Sequence, residues 1–109
     1  MDEVLTLRRT GALVGAAAYQ RALEHYKVEQ YAEAEPLFEV AASESDEASY
    51  RHRALYIRAL CFEKLEEKQK TVSALKAILA DTGSPYQPKA ERVLAHHYLQ
   101  EGMNEEALA

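Results

Sequence analysis

Apolar and small residues recur along this chain at spacings of three and four, as at Val72, Leu75, Ile78 and Leu79. That is the stripe one face of an α-helix buries. No stretch alternates apolar and polar residues in the period-two manner of a half-buried strand. The pattern therefore predicts an all-α chain. Its interruptions fall near Glu29–Gln30, Ser43–Glu47, Glu66–Lys68, Asp81–Pro88 and Gly102–Asn104, which leaves five helices and a truncated sixth. Proline is tolerated in a first helical turn, so Ser84-Pro85 or Gln87-Pro88 is expected to start the fifth helix. Gly102 reads as a helix stop and Asn104 as the N-cap of a final helix over EEALA. A helix of that length cannot cover its neighbour, so an uncapped apolar edge is expected at this end. Pro36 falls inside the second helix, where it removes one backbone hydrogen bond and should bend the axis.

Leu7 to Gln20, LRRTGALVGAAAYQ, sets two arginines before small apolar residues, the outline of a twin-arginine export signal. A secretory signal opens on basic residues ahead of a run of roughly 7–15 apolar ones. This chain opens on Met1-Asp2-Glu3, and Gly11–Ala18 is weakly apolar glycine and alanine. No segment approaches the ~18 continuous apolar residues of a membrane span.

Sliding the chain against itself by 37 residues places Tyr19–Glu29 (YQRALEHYKVE) over Tyr56–Glu66 (YIRALCFEKLE), with six of eleven positions identical. A further offset of 36 brings Arg92–Gly102 (RVLAHHYLQEG) into the same frame. A connected pair of helices thus recurs nearly three times, and each pair exposes an apolar stripe that only a stacked neighbour can bury.

These residues resemble the tetratricopeptide repeat, whose signature runs W-x2-L-G-x2-Y, then an alanine, then A-x3-F. The small residue of its first helix is matched by Ala22, Ala59 and Ala95, and the following aromatic by Phe62 and Tyr98, with His25 as a departure. The second-helix alanine falls on Ala34 and Ala107 with Thr71 between, and A-x3-F is complete at Ala34–Phe38. The tryptophan is missing, and Arg21 and Arg58 stand where the family has a leucine, which is kept only at Leu94. The surplus over a 34-residue repeat fits in SESDEASY and DTGSPYQP. YAEAEPLFEVA, with its internal proline, is similar to the variants in kinesin-light-chain-type proteins.

The resemblance implies an all-α, right-handed superhelical stack of antiparallel helix pairs, about two and a half repeats in one domain over residues 1–109. Residues 1–14 would be an extension, 15–48 the first repeat, 49–84 the second and 85–109 a partial third. In that frame Tyr19–Leu23 lies inside the first repeat, and a signal cleaved near Ala18 would cut its helix. Gly11 and Gly15 then become a loose joint after a short Asp2–Arg9 helix, and a cytoplasmic protein is expected.

Charge narrows the function. A net charge of −5 and pI near 5.4 do not suit a nucleic-acid binder, which needs basic groups to replace phosphate counterions. The single cysteine, Cys61, sits in an apolar pattern and is expected as a small buried hydrophobe. No catalytic or nucleotide-binding motif is present, His96 and His97 are adjacent and diverge on a helix, and no cofactor or metal is expected. Arg21 and Arg58 are expected to lay their stems on apolar surface and reach a glutamate.

The leading expectation is a non-enzymatic protein-interaction module. In tetratricopeptide domains the first helix of each pair lines the concave ligand-holding side. Carried over, that geometry implies a groove of Tyr19, Leu23, Tyr26 and Lys27 from the first repeat. Arg53, Tyr56, Leu60, Glu63 and Lys64 would follow from the second, and Lys89, Arg92, His96 and Leu99 from the third. Lys89 and Arg92 match only part of the carboxylate-clamp pattern that holds chaperone C-termini. Tyrosine and leucine beside basic groups better suit an amphipathic helix or extended peptide carrying apolar anchors and carboxylates, as in the small tetratricopeptide chaperones of bacterial secretion systems. The same rings could instead be plain core. The alternative function is a scaffold subunit of a larger assembly, including a homodimer through the terminal repeat edges.

Overall fold

A computed structural model describes the backbone of residues 2–108 and the side chains of residues 13–102. The chain forms five helices: α1 (Asp2–Lys27), α2 (Tyr31–Glu44), α3 (Ala48–Lys64), α4 (Lys68–Ala80) and α5 (Gln87–Leu108). Four of the anticipated breaks appear where the apolar periodicity lapses. Each helix packs on its sequence neighbour, with a smaller contact between α1 and α3. Tyr26 meets Tyr31 and Tyr19 meets Phe38, which makes α1 and α2 antiparallel. The result is an all-helical stack measuring 64 × 30 × 18 Å.

Two expectations about glycine fail. α1 runs unbroken through Gly11 and Gly15, so there is no loose joint after Arg9. Gly15 instead lets α1 approach the end of α2: a Cβ there would lie 3.0 Å from the Glu44 carbonyl carbon and 3.1 Å from Ser45 N. That contact offsets the ~1 kcal/mol by which glycine disfavours a helix interior. α5 likewise passes through Gly102 and Asn104, so neither a stop nor a separate sixth helix forms. One glycine among good helix formers lowers helical stability without ending the helix unless the backbone turns left-handed. Pro36 stands within α2 but is exposed, so the missing N–H falls on the solvent side. Pro88 occupies the first turn of α5, as its ring geometry favours.

The turns show the repeat most directly. After α1, Gln30 N–H bonds His25 O and Glu29 N–H bonds Tyr26 O; after α3, Glu67 N–H bonds Phe62 O and Glu66 N–H bonds Glu63 O. These are Schellman closures, and in each the residue in the left-handed region is a glutamate, Glu29 at φ 63° and Glu66 at φ 59°. The buried faces of the second helices repeat at the same offset. Ala34, Phe38 and Ala41 of α2 correspond to Thr71, Leu75 and Ile78 of α4, and all are buried. Ala22 and Ala59, buried on α1 and α3, let those helices close on them. The third member, Ala95, is exposed on α5.

Two core clusters result. One gathers Ala18, Tyr19, Ala22, Phe38 and Cys61 between α1, α2 and α3; the other gathers Ala59, Phe62, Leu75, Ile78, Ala90 and Leu94 between α3, α4 and α5. Leu55 of α3 packs against both. Cys61 is fully buried, and burial, with Glu35 nearby, pushes its thiol up to about 11. Arg58 fulfils the role foreseen for it: its Nε donates to Glu35 Oε1 at 2.9 Å while the guanidinium lies 5.2 Å from the centre of the Phe62 ring. It ties α3 to α2 over the edge of the core. Arg21 is exposed.

Candidate functional site

The strongest convergence of polar and aromatic side chains lies where the first half of α3 meets the turn leading into α5. α3 carries Tyr50, Arg53 and Tyr56 at three-residue spacing, close to one helical face. Tyr56 stacks on Tyr86 with ring centres 4.5 Å apart and planes 11° from parallel. The Lys89 ammonium lies 5.8 Å from the centre of the Tyr56 ring, within cation–π range. Across on α1, Tyr19 meets Tyr50 edge-on at 5.3 Å. Arg53 is exposed, and contact with the Tyr86 and Tyr19 hydroxyls pushes its pKa above the ordinary arginine value. The Tyr19 hydroxyl is buried and makes no hydrogen bond of ordinary geometry. A cleft of about 460 Å³ opens here between Glu47, Tyr50, His52, Arg53, Pro85 and Tyr86.

An ion-pair network adjoins this cleft through His52, one of its lining residues. His52 Nδ1 bonds Asp81 Oδ2, and Arg51 Nε donates to Asp81 Oδ1 at 3.0 Å. Burial alone would raise the Asp81 carboxyl; the hydrogen bonds from His52 and Arg51, with the Arg51 charge, outweigh it and hold the group below its ordinary value. Gln87 donates to the carbonyls of Leu79 and Asp81 at 3.0 and 3.1 Å, which satisfies the open end of α4 and orients the start of α5. Tyr86 is thereby held against Tyr56 by bonds on both sides of the connection.

Of the residues expected to line a groove, Tyr19, Arg53, Tyr56 and Lys89 come together here. Tyr19 does so from inside the core, with only 5% of its surface exposed. Leu23 and Tyr26 are half-buried against the first cluster, where Tyr26 meets Tyr31 and Phe38 edge-on and burial raises its phenol. Leu60 is half-buried on α3, while Lys27, Arg92 and His96 are exposed. Lys64 ends α3, ~16 Å along the axis from Arg53. It borders a separate cleft of about 610 Å³ with Glu63, Lys68, Thr71 and His97. His97 Nε2 and Glu63 Oε1, 3.2 Å apart, tie α5 to α3 there.

Sequence comparison of the repeats did not single out Tyr50, Tyr86, His52 or Asp81. Tyr86 lies in DTGSPYQP, a segment that reads as connector, although the offset of 36 sets Tyr86 on Tyr50 of SESDEASY. That match, and an aromatic flanked by two prolines in a polar connector, were the available signals. The His52–Asp81 bond joins residues 29 apart, and no local pattern announces it.

Among the described residues no group of three or more histidine, cysteine or acidic side chains is placed to hold a metal ion, and no helix is long and apolar enough to cross a membrane. No protein-family model, curated protein or solved structure matches the chain.

Proposed function

We propose that this protein is a non-enzymatic interaction module of tetratricopeptide-like design that holds an extended peptide or amphipathic helix along the face formed by α1, α3 and the start of α5. The observation that carries the reading is the meeting of Tyr50, Arg53 and Tyr86 at one cleft, with Tyr56 stacked on Tyr86 and Lys89 over the Tyr56 ring beside it, on a chain that is acidic overall. Stacked rings offer apolar area at small entropic cost, and the two cations beside them favour a ligand that pairs an apolar anchor with a carboxylate. The repeat of helix pairs, of glutamate turns and of buried small residues supports the tetratricopeptide-like assignment. A cytoplasmic setting fits the same reading, because Leu7–Gln20 is an integral part of α1.

Selection from a random peptide library against the full chain tests the proposal. The expected consensus carries an aromatic or large aliphatic residue within a few positions of Asp or Glu. Arg53→Glu combined with Lys89→Glu is expected to weaken the selected peptides at least ~10-fold, with an unchanged helical circular dichroism spectrum. A basic consensus, or equal binding by the charge-reversed variant, rejects the site. Tyr19 is a poor probe, because removing a buried ring costs on the order of 3–5 kcal/mol of stability and would confuse binding with folding.

A further inference from the structure

The two offsets that reveal the repeat also pair the residues of the candidate site. An offset of 37 sets Tyr19 on Tyr56, and one of 36 sets Tyr50 on Tyr86, Arg53 on Lys89 and the fully buried Ala54 on the fully buried Ala90. The contacts repeat with them. Tyr19 meets Tyr50 at 5.3 Å with Arg53 at its hydroxyl, and Tyr56 meets Tyr86 at 4.5 Å with Lys89 5.8 Å from its ring centre. Each rung is thus a first-helix tyrosine, a tyrosine at the start of the next first helix, and a cation about one turn further on. The rungs are contiguous, because Arg53 of the first reaches the Tyr86 hydroxyl of the second and both residues line one cleft.

Both cations are open to a ligand. On α3 the neighbouring Arg51 and Arg58 are each held by a carboxylate, Asp81 at 3.0 Å and Glu35 at 2.9 Å. Arg53 and Lys89 are exposed, and among the described residues no carboxylate lies within 4 Å of either. Glu47 on the cleft wall disfavours a continuous run of acids in the ligand.

The spacing of the rungs selects the ligand's form. α3 and α5 are bridged by the Tyr56–Tyr86 stack and by His97 with Glu63, and helices packed side by side lie ~8–10 Å apart. A polyproline II segment advances ~3.1 Å per residue and returns to the same side every third residue, so its residues i and i+3 face one way ~9 Å apart. A β-strand turns residue i+3 to the opposite side. A helix needs about seven residues for the same span and is ~10–12 Å across, too wide to enter a cleft of about 460 Å³. Walls of tyrosine and proline also suit a polyproline II segment.

We propose, within the reading of this face as a peptide-binding groove, that its ligand is an extended, polyproline-II-like segment with two acidic side chains three positions apart, one meeting Arg53 and the other Lys89. Arg53 takes its carboxylate through the guanidinium fork and Lys89 as a point charge. The residues between the two acids rest on Tyr50, Pro85 and Tyr86. Because both acids are side chains, the segment need not be a chain terminus.

Fluorescence anisotropy of the full chain with three labelled peptides tests the spacing. Each is acetylated and amidated, rich in proline and leucine, and carries two glutamates set two, three or seven positions apart. The three-position peptide should bind at least ~10-fold tighter than the other two, and than its relative with one glutamate replaced by glutamine. Arg53→Ala or Lys89→Ala, each removing an exposed cation with the helical spectrum unchanged, should reduce it to that single-glutamate level, and each loss should vanish once the matching glutamate is glutamine. Equal binding at all spacings, or binding of none of the three, overturns the proposal. A preference for seven positions would mean a helical ligand and overturns it too. In each of these cases, library-selected peptides that still weaken with Arg53→Glu and Lys89→Glu leave the interaction module standing, whereas a chain that yields no such peptides fails the broader reading.

Discussion

The two first-to-second-helix turns place a glutamate where glycine is the residue of least strain. Glu29 and Glu66 sit at φ 63° and 59°, each closing a Schellman turn through its own N–H. A side chain with a Cβ costs ~1–2 kcal/mol in this conformation. Glycine removes that strain but gives back ~0.4–1 kcal/mol through the greater freedom of the unfolded chain. Each of Glu29→Gly and Glu66→Gly is therefore expected to stabilise by about 0.5–1 kcal/mol. The turns share no contacts, so the effects should add, giving about 1–2 kcal/mol for the double variant. For a chain of 109 residues this raises the melting temperature by ~4–8 °C, read by circular dichroism at 222 nm. Both substitutions also remove an acidic group from the negative end of a helix, which by itself is worth ~0.3–1 kcal/mol. Glu29→Ala and Glu66→Ala separate the causes: they remove the same charge and keep the left-handed strain. Alanine variants as stable as the glycine variants, or glycine variants that melt lower than wild type, would refute the backbone explanation.

Gly15→Ala should lower stability by about 1 kcal/mol despite alanine's better helix propensity, because the added methyl meets the backbone of Glu44 and Ser45 at 3.0–3.1 Å; urea denaturation showing a gain would remove the close approach of α1 and α2. Asp81→Asn should cost about 1–3 kcal/mol near neutral pH by weakening the link to His52 and Arg51. The folded pKa of Asp81 is depressed, so its contribution is fully present above the ordinary value of 3.8 and is lost as pH falls through the lower folded value. The stability difference between wild type and Asp81→Asn should accordingly narrow below pH 3.8, and a pH-independent difference would deny the carboxylate its role. Cys61, buried with its pKa pushed up to about 11, should react with a disulfide reagent at pH 8 at least ~100-fold more slowly in the native chain than in urea; equal rates would show that the core opens readily.

The helices and the repeat are legible in the sequence because they rest on local periodicity. Val72, Leu75 and Ile78 announce a helix by spacing alone, and the 37-residue offset from Ala34 to Thr71 anticipates which residues each second helix buries. The glycines depart from their local expectation for the converse reason. Gly15 and Gly102 look alike as local breakers, yet α1 and α5 run through both. Gly15 answers to the end of α2, 29 residues away.

The candidate site divides along the same line. Tyr19, Arg53, Tyr56 and Lys89 are marked by the repeat and Tyr50 and His52 sit beside Arg53 on α3, whereas Tyr86 and Asp81 join them only through the path of the α4–α5 connection. Composition and periodicity alone determine an acidic, all-helical chain built of recurring helix pairs, since those properties follow from which residues can share a helix face. Which rings stack, which carboxylate is buried beside a histidine and which apolar stripe is left uncovered were decided by the tertiary structure. Those are distances between residues tens of positions apart, set by the packing of whole helices.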